Sequence, residues 1–205
     1  MSLRHSYRLI APIYDSVVAA PTRAMRAASL ARLEALERGR VLIAGIGTGL
    51  DLPHLVPGND YVGLDITPAM LHRARRRMAE PAAALHCGDV MAMPYPEASF
   101  DVVLMHLILA VVPRPHLALA EAQRVLRPGG HLLVVDKFLR PGQRAPLRRA
   151  ISPLLGLIAT RTDVTFEDLL AQCPQLRLLD DSPQLAGGWF RRIELQKTPV
   201  SGESP

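Results

Sequence analysis

Short apolar runs alternate with amphipathic stretches along most of the chain. RVLIAG (40–45), YVGLD (61–65), ALHCGD (84–89), FDVVLMH (100–106) and HLLVVDKF (131–138) are bounded by Gly, Asp or Pro. This is the signature of short strands buried on both faces of a parallel sheet. Between them the spacing changes to the helical period. Thr67 stands at an N-cap position, Pro68 at the first helical position, and Leu71, Ala74 and Met78 share one face. Leu119, Ala122 and Leu126 repeat that spacing before Pro128-Gly129-Gly130, which predicts the end of the helix and a turn into the next strand. Pro21 to Arg38 reads as a further helix stopped by Gly39. LRLLDD (176–181) and WFRRIELQ (189–196), joined through Gly187-Gly188, read as an antiparallel hairpin on the sheet edge. Strand and helix in alternation predict an α/β fold, a doubly wound, mostly parallel sheet of seven strands. Its ligand cleft then lies beyond the carboxyl ends of the strands.

Composition narrows the function classes. The 205 residues are 49% hydrophobic and 21% charged, enough for one well-packed domain and too apolar for a disordered chain. The longest apolar stretch, Val102 to Val112, is interrupted by His106 and falls short of the roughly 20 residues that span a bilayer. The N-terminus lacks the apolar core of a signal peptide, and Cys87 and Cys173 are too few for a disulfide scaffold. A cytoplasmic, reduced protein is the expectation. Cys87 and His86 fall inside the third predicted strand, so they are expected in the core, and no Cys/His spacing resembles a metal set. The net charge of +5 is unevenly divided: residues 1–33 carry +4, residues 137–161 carry +6, and the remainder −5. A protein that coats nucleic acid would spread its charge differently, so nucleic acid is a poor partner for this chain.

The chemistry concentrates in VLIAGIGTGLD (41–51), where a strand runs into Gly45, Gly47 and Gly49. Glycines there let the backbone turn sharply and approach a ligand closely. A dinucleotide fingerprint needs a glycine at position 50, which is Leu. Asp65 ends the next strand 20 residues beyond Gly45, where a carboxylate can accept both hydroxyls of an adenosine ribose. Asp89 at the tip of the third strand suits the adenine amino group or an ordinary cap, with Ile66, Met70 and Val90 as apolar walls.

Together these segments resemble the class I S-adenosylmethionine-dependent methyltransferases, over roughly residues 7–196. VLIAGIGTG is similar to the family's first motif, YVGLDITPAML to its acidic second, HCGDVMAMPYPEASFDVVLMH to its third and fourth, and RVLRPGGHLLVVD to the element before the fifth strand. The leader from Tyr7 to Asp15, GTGLDLP (47–53) and AVVPRP (110–115) most resemble bacterial phosphatidylethanolamine N-methyltransferases, with quinone-pathway C-methyltransferases as the nearest cousins. One residue departs from the pattern. The family's acid two residues before the first glycine, which helps hold the methionyl amino group, is Ile43 here.

The resemblance implies S-adenosyl-L-methionine as cofactor, S-adenosyl-L-homocysteine as product, and in-line displacement at a sulfonium methyl, where positioning supplies much of the catalysis. Gly45, Gly47, Gly49, Asp65, Ile66, Met70, Asp89 and Val90 then bind cofactor, joined by His106 and Tyr14 at its methionine end. His106, at the tip of the fourth strand, is the first candidate base if the acceptor is an ammonium; a histidine packed in the cleft wall is the alternative. Tyr14 and Tyr7 are a lid over the methionine end or ordinary packing. Asp136 is a charge partner for an amine or a strand-end cap, and Arg148 and Arg149 face the substrate. The expected layout is a single domain over 1–200, with lid helices at 1–38, a cofactor core at 39–138, a substrate-side insert at 139–175, a hairpin at 176–197 and a disordered tail at 201–205. The two basic segments flank the cleft in such a fold and suit a lipid acceptor or an anionic membrane surface. Ile43 leaves a second reading open, an inactive cofactor-binding module acting through partners.

Overall fold

A computed structural model describes residues 20–78, 83–139, 164–185 and 189–199. Half of the proposed lid, with Tyr7 and Tyr14, and most of the insert, with Arg148 and Arg149, lie outside the described residues, as does the 201–205 tail.

Seven strands form one sheet in the order β3-β2-β1-β4-β5-β7-β6. They are β1 (Arg40–Ala44), β2 (Asp60–Asp65), β3 (Ala84–Cys87), β4 (Phe100–His106), β5 (Leu126–Lys137), β6 (Leu176–Pro183) and β7 (Phe190–Lys197). The first five run parallel. The C-terminal pair is antiparallel, with β7 docked along β5 and β6 outside it. The chain builds outward from β1 in one direction, returns to β4 and builds in the other. That reversal lies between β1 and β4, and a crevice opens at their carboxyl ends.

Helices cover both faces. Helix α1 (20–30) continues into a 3-10 turn, Ala31–Ala35, and α2 spans Pro68–Arg77. Leu30, Leu33 and Ala74 from these segments pack on Val41, Ile43, Val102, Leu104 and Leu133 of the sheet. On the other face, α3 (Pro115–Val125) and α4 (Phe166–Leu170) bury Ala118, Leu119, Ala122 and Phe166 against Leu42, Val103, Val134 and Ile193.

Three local expectations change. Helix α3 stops at Val125, and Leu126 already pairs with Phe100 as the first residue of β5; Pro128-Gly129-Gly130 lies inside that strand, where the register with β4 shifts. Such an irregularity absorbs the proline, which cannot donate to a regular ladder. Thr67 occupies the N-cap of α2 without capping it; its backbone N–H and hydroxyl go to Asp65 instead. His86 and Cys87 are not core residues. β3 is the sheet edge and both side chains are exposed, although the neighbouring strand β2 is buried. Among the described residues no group of His, Cys, Asp and Glu can hold a metal ion, and no helix is long and apolar enough to cross a membrane.

Candidate functional site

A cavity of about 490 Å³ occupies the crevice. Its walls come from successive strand tips: Gly45 to Thr48 after β1, Asp65 to Thr67 at the end of β2, Asp89 to Met91 after β3, and His106 to Ile108 at the end of β4, with Met70 from α2 and Arg26 from α1. Residues far apart in sequence meet here because parallel strands deliver all their carboxyl ends to one side.

At one end the backbone does most of the work. Gly45, Gly47 and Gly49 have φ of +77°, +57° and +81°, a region costly for side-chain-bearing residues. The N–H groups of Gly45 and Ile46 both donate to the Leu64 carbonyl (2.8 and 3.0 Å), stitching the loop to β2. A Cβ at Gly47 would meet nothing closer than 4.0 Å, so this glycine leaves open space beside the cavity. Asp65 accepts from the Gly47 N–H (2.9 Å) and the Thr67 N–H (2.8 Å). Burial pushes its carboxyl above the usual range, and the amides of Thr67 and Gly47 counter that shift. Asp89 accepts from the Met91 N–H at 2.8 Å and borders the same cavity. Ile66, Met70 and Val90 supply the apolar walls. A glycine-opened floor, an acid on the second strand tip, another on the third and apolar walls between them fit the ribose and adenine of S-adenosylmethionine.

The other end is built from side chains. Asp51, 2% exposed at the end of the glycine loop, accepts from Arg26 Nη1 (2.8 Å) and lies 2.9 Å from His106 Nδ1. His106 Nε2 lies 3.0 Å from the Ser29 hydroxyl. Because an ionised carboxylate only accepts, Nδ1 carries a proton toward Asp51; Nε2 accepts from Ser29 when the ring carries that one proton and donates to it when the ring carries two. Burial would raise the Asp51 carboxyl, but His106 and Arg26 together hold it far below the usual range. His106 lines the cavity with both ring nitrogens engaged by protein, the geometry of a histidine held in the cleft wall. Leu107 follows it at φ +57° and borders the cavity too. A leucine in that region carries strain of about 1–3 kcal/mol.

Two positions stand away from the cavity. Asp136 is 0% exposed and accepts from the backbone N–H groups of Ala110 (3.0 Å) and Lys137 (2.7 Å), which is the strand-end cap arrangement. Ile43 is also 0% exposed, inside the core under α1. Arg26, Ser29, Leu107 and Val111 were not anticipated as site residues. Arg26 and Ser29 sit three apart on α1, a spacing that puts them on one face, but nothing local marks that face as the one turned to the cleft.

Residues 42–134 match the family model described as a methyltransferase domain. The chain is 30% identical to a phosphatidylethanolamine N-methyltransferase of Cereibacter sphaeroides over 190 residues, 90% of this chain and 93% of that one. It is 36% identical to a demethylmenaquinone methyltransferase of Renibacterium salmoninarum over 132 residues, covering 62% of this chain and 55% of the relative. A SAM-dependent methyltransferase from Thermotoga maritima shares its fold with a TM-score of 0.72 at 20% identity, over 96% of this chain and 100% of that one. The likeness to the Cereibacter sphaeroides relative, spread over nearly the whole length of both chains, together with the family-model match, supports an active enzyme over an inactive binding module. With its seven-stranded sheet and its cavity at the β1/β4 reversal, the chain belongs to the class I S-adenosylmethionine-dependent methyltransferases.

Proposed function

We propose that the protein methylates a lipid head group or another lipophilic acceptor, with an aminophospholipid as the first choice. The observation that carries this reading is the wall beyond His106, where Leu107, Ile108, Val111, Val112 and Pro113 form an apolar side of the cavity. Such a wall suits an acceptor with a hydrocarbon part. The resemblance to a phosphatidylethanolamine N-methyltransferase over 93% of that relative supports the same class.

Bound S-adenosylmethionine supplies an electrophilic sulfonium methyl. The residues of this chain then bind and orient: Asp65, Asp89 and the glycine loop at the adenosine end, with Ile66, Met70 and Val90 around the base. An ammonium acceptor must lose a proton before its nitrogen can attack. His106 Nε2 is the group proposed to take it once the Ser29 hydroxyl rotates away. Tyr14 and Tyr7 are proposed as a lid and Arg148 and Arg149 as contacts to an anionic surface, each such cation worth on the order of 1 kcal/mol. The protein is then cytoplasmic and peripheral to the inner membrane.

The test is label transfer from radiolabelled S-adenosylmethionine into vesicles of phosphatidylethanolamine or of demethylmenaquinone in neutral lipid. Label in the phospholipid supports the proposal. Label confined to the quinone replaces it with the second reading, favoured by the likeness to demethylmenaquinone methyltransferases. For the membrane part, failure to co-sediment with anionic liposomes at low salt removes the peripheral binding.

A further inference from the structure

The family's usual grip on the amino-acid end of the cofactor is absent: position 43 is an isoleucine with no exposed surface, packed with Leu30, Leu33, Leu104 and Leu133. Whatever holds that end must come from elsewhere on the cavity wall. Among the described lining residues there are two acids, Asp65 and Asp89, both on the β2 and β3 side where the adenosine fits. On the β1/β4 side the described lining residues include one permanently charged group, the guanidinium of Arg26, together with His106.

Arg26 is built in rather than laid on the surface. It is 6% exposed. Its Nε donates to Thr22 Oγ1 (3.2 Å), one helical turn earlier, and its Nη1 donates to Asp51 Oδ1 (2.8 Å). These bonds use two of the five N–H donors a guanidinium carries and fix its plane. Asp51 also receives His106, so its charge is divided between two partners and lies behind them, off the cavity wall. Arg26 thus lines the cavity with its plane fixed by two bonds, and a guanidinium so held is suited to bidentate recognition of a carboxylate.

We propose that Arg26 anchors the carboxylate of the cofactor's amino-acid end, so that this chain holds that end by its negative group where its relatives' acid would hold the positive one. Arg26 is here a cofactor-binding residue, and Asp51 and Thr22 are positioning residues that aim it. The inference concerns the cofactor alone and stands or falls independently of the acceptor.

Calorimetry on the full chain tests it without an acceptor and without turnover. S-adenosylhomocysteine is compared with its decarboxylated analogue, a 3-aminopropyl thioether, and its deaminated analogue, a 3-carboxypropyl thioether. Loss of the carboxylate is expected to weaken binding about ten- to a hundredfold, and loss of the amine by less than about threefold. Equal losses, or a larger loss on removing the amine, overturn the proposal. Arg26→Gln should then erase the difference between the two analogues while 5′-deoxy-5′-methylthioadenosine, which lacks the whole amino-acid end, binds as before. An Arg26→Gln protein that keeps full preference for the carboxylate overturns it as well. Should that variant fail to fold, the three ligands on the unaltered protein decide the matter by themselves.

Discussion

The two ends of the cavity are made in different ways. At the end lined by the glycine loop the wall is built from backbone: three left-handed glycines, amides aimed at Asp65, and strand tips whose neighbours are set by the β1–β2 and β2–β3 registers. At the opposite end it rests on four side chains from three elements, Arg26 and Ser29 on α1, Asp51 after the loop and His106 on β4. The first end is shaped by local sequence and is available to a ligand. The second ties its polar groups to one another and α1 to the sheet, while Arg26 and His106 also line the cavity. Mutations at the first end should therefore act chiefly on binding, and mutations at the second on stability as well as on binding.

Asp51→Ala is the largest expected effect. It strands Arg26 as a buried, uncompensated charge, which typically costs about 3–5 kcal/mol and would be read from urea unfolding. The same residue gives the comparison a pH signature. Its folded carboxyl lies below the unfolded value, so its contribution is complete above about pH 4 and is lost as pH falls further. Asp65 is shifted the other way; the stability it costs at neutral pH is regained on acidification. An acid limb that survives unchanged in Asp51→Asn would break the contrast.

Asp65→Ala comes next, with the consequence moved to binding: about a hundredfold weaker affinity for S-adenosylhomocysteine by calorimetry, and less stability lost than in Asp51→Ala. If both variants chiefly unfold the protein, the division between a binding end and a structural end is wrong. Within the glycine loop the same line can be drawn more finely. A Cβ at Gly49 would meet Leu52 Cδ1 at 2.5 Å and the Ala74 backbone Cα at 3.1 Å. Gly49→Ala should thus lower stability by about 1–3 kcal/mol, visible as a fall in Tm. Gly47→Ala, facing open space, should weaken ligand more than it lowers Tm. Ser29→Ala is the smallest change: one hydrogen bond to His106, about 1 kcal/mol in thermal unfolding, with His106 Nε2 released toward the cavity and activity retained.

Much of the fold was legible in the chain. Each of the seven strands falls within a few residues of its apolar run, and Gly45, Gly47 and Asp65 line the cavity, because buried parallel strands and left-handed turns each demand particular residues at particular positions. The misread segments have physical reasons too. Leu126 kept the helical spacing of α3 but was taken by the β4 ladder, since pairing with Phe100 outweighs local period. Cys87 and His86 share the composition of a buried strand, and only the place of β3 at the sheet edge exposes them.

By itself, then, the sequence determined the alternation of elements, the parallel sheet and the glycine turn after β1, all of which are written in periods and spacings of fewer than about 25 residues. Tertiary structure decided the rest. That Asp136 caps backbone amides depends on the segment after β4 passing the end of β5; that Ile43 is core and that Arg26 and His106 both meet Asp51 depends on α1 packing beside β1 and β4. The partners in that contact are separated by 25 and 55 residues, a distance over which no local pattern in the chain records who will be neighbours.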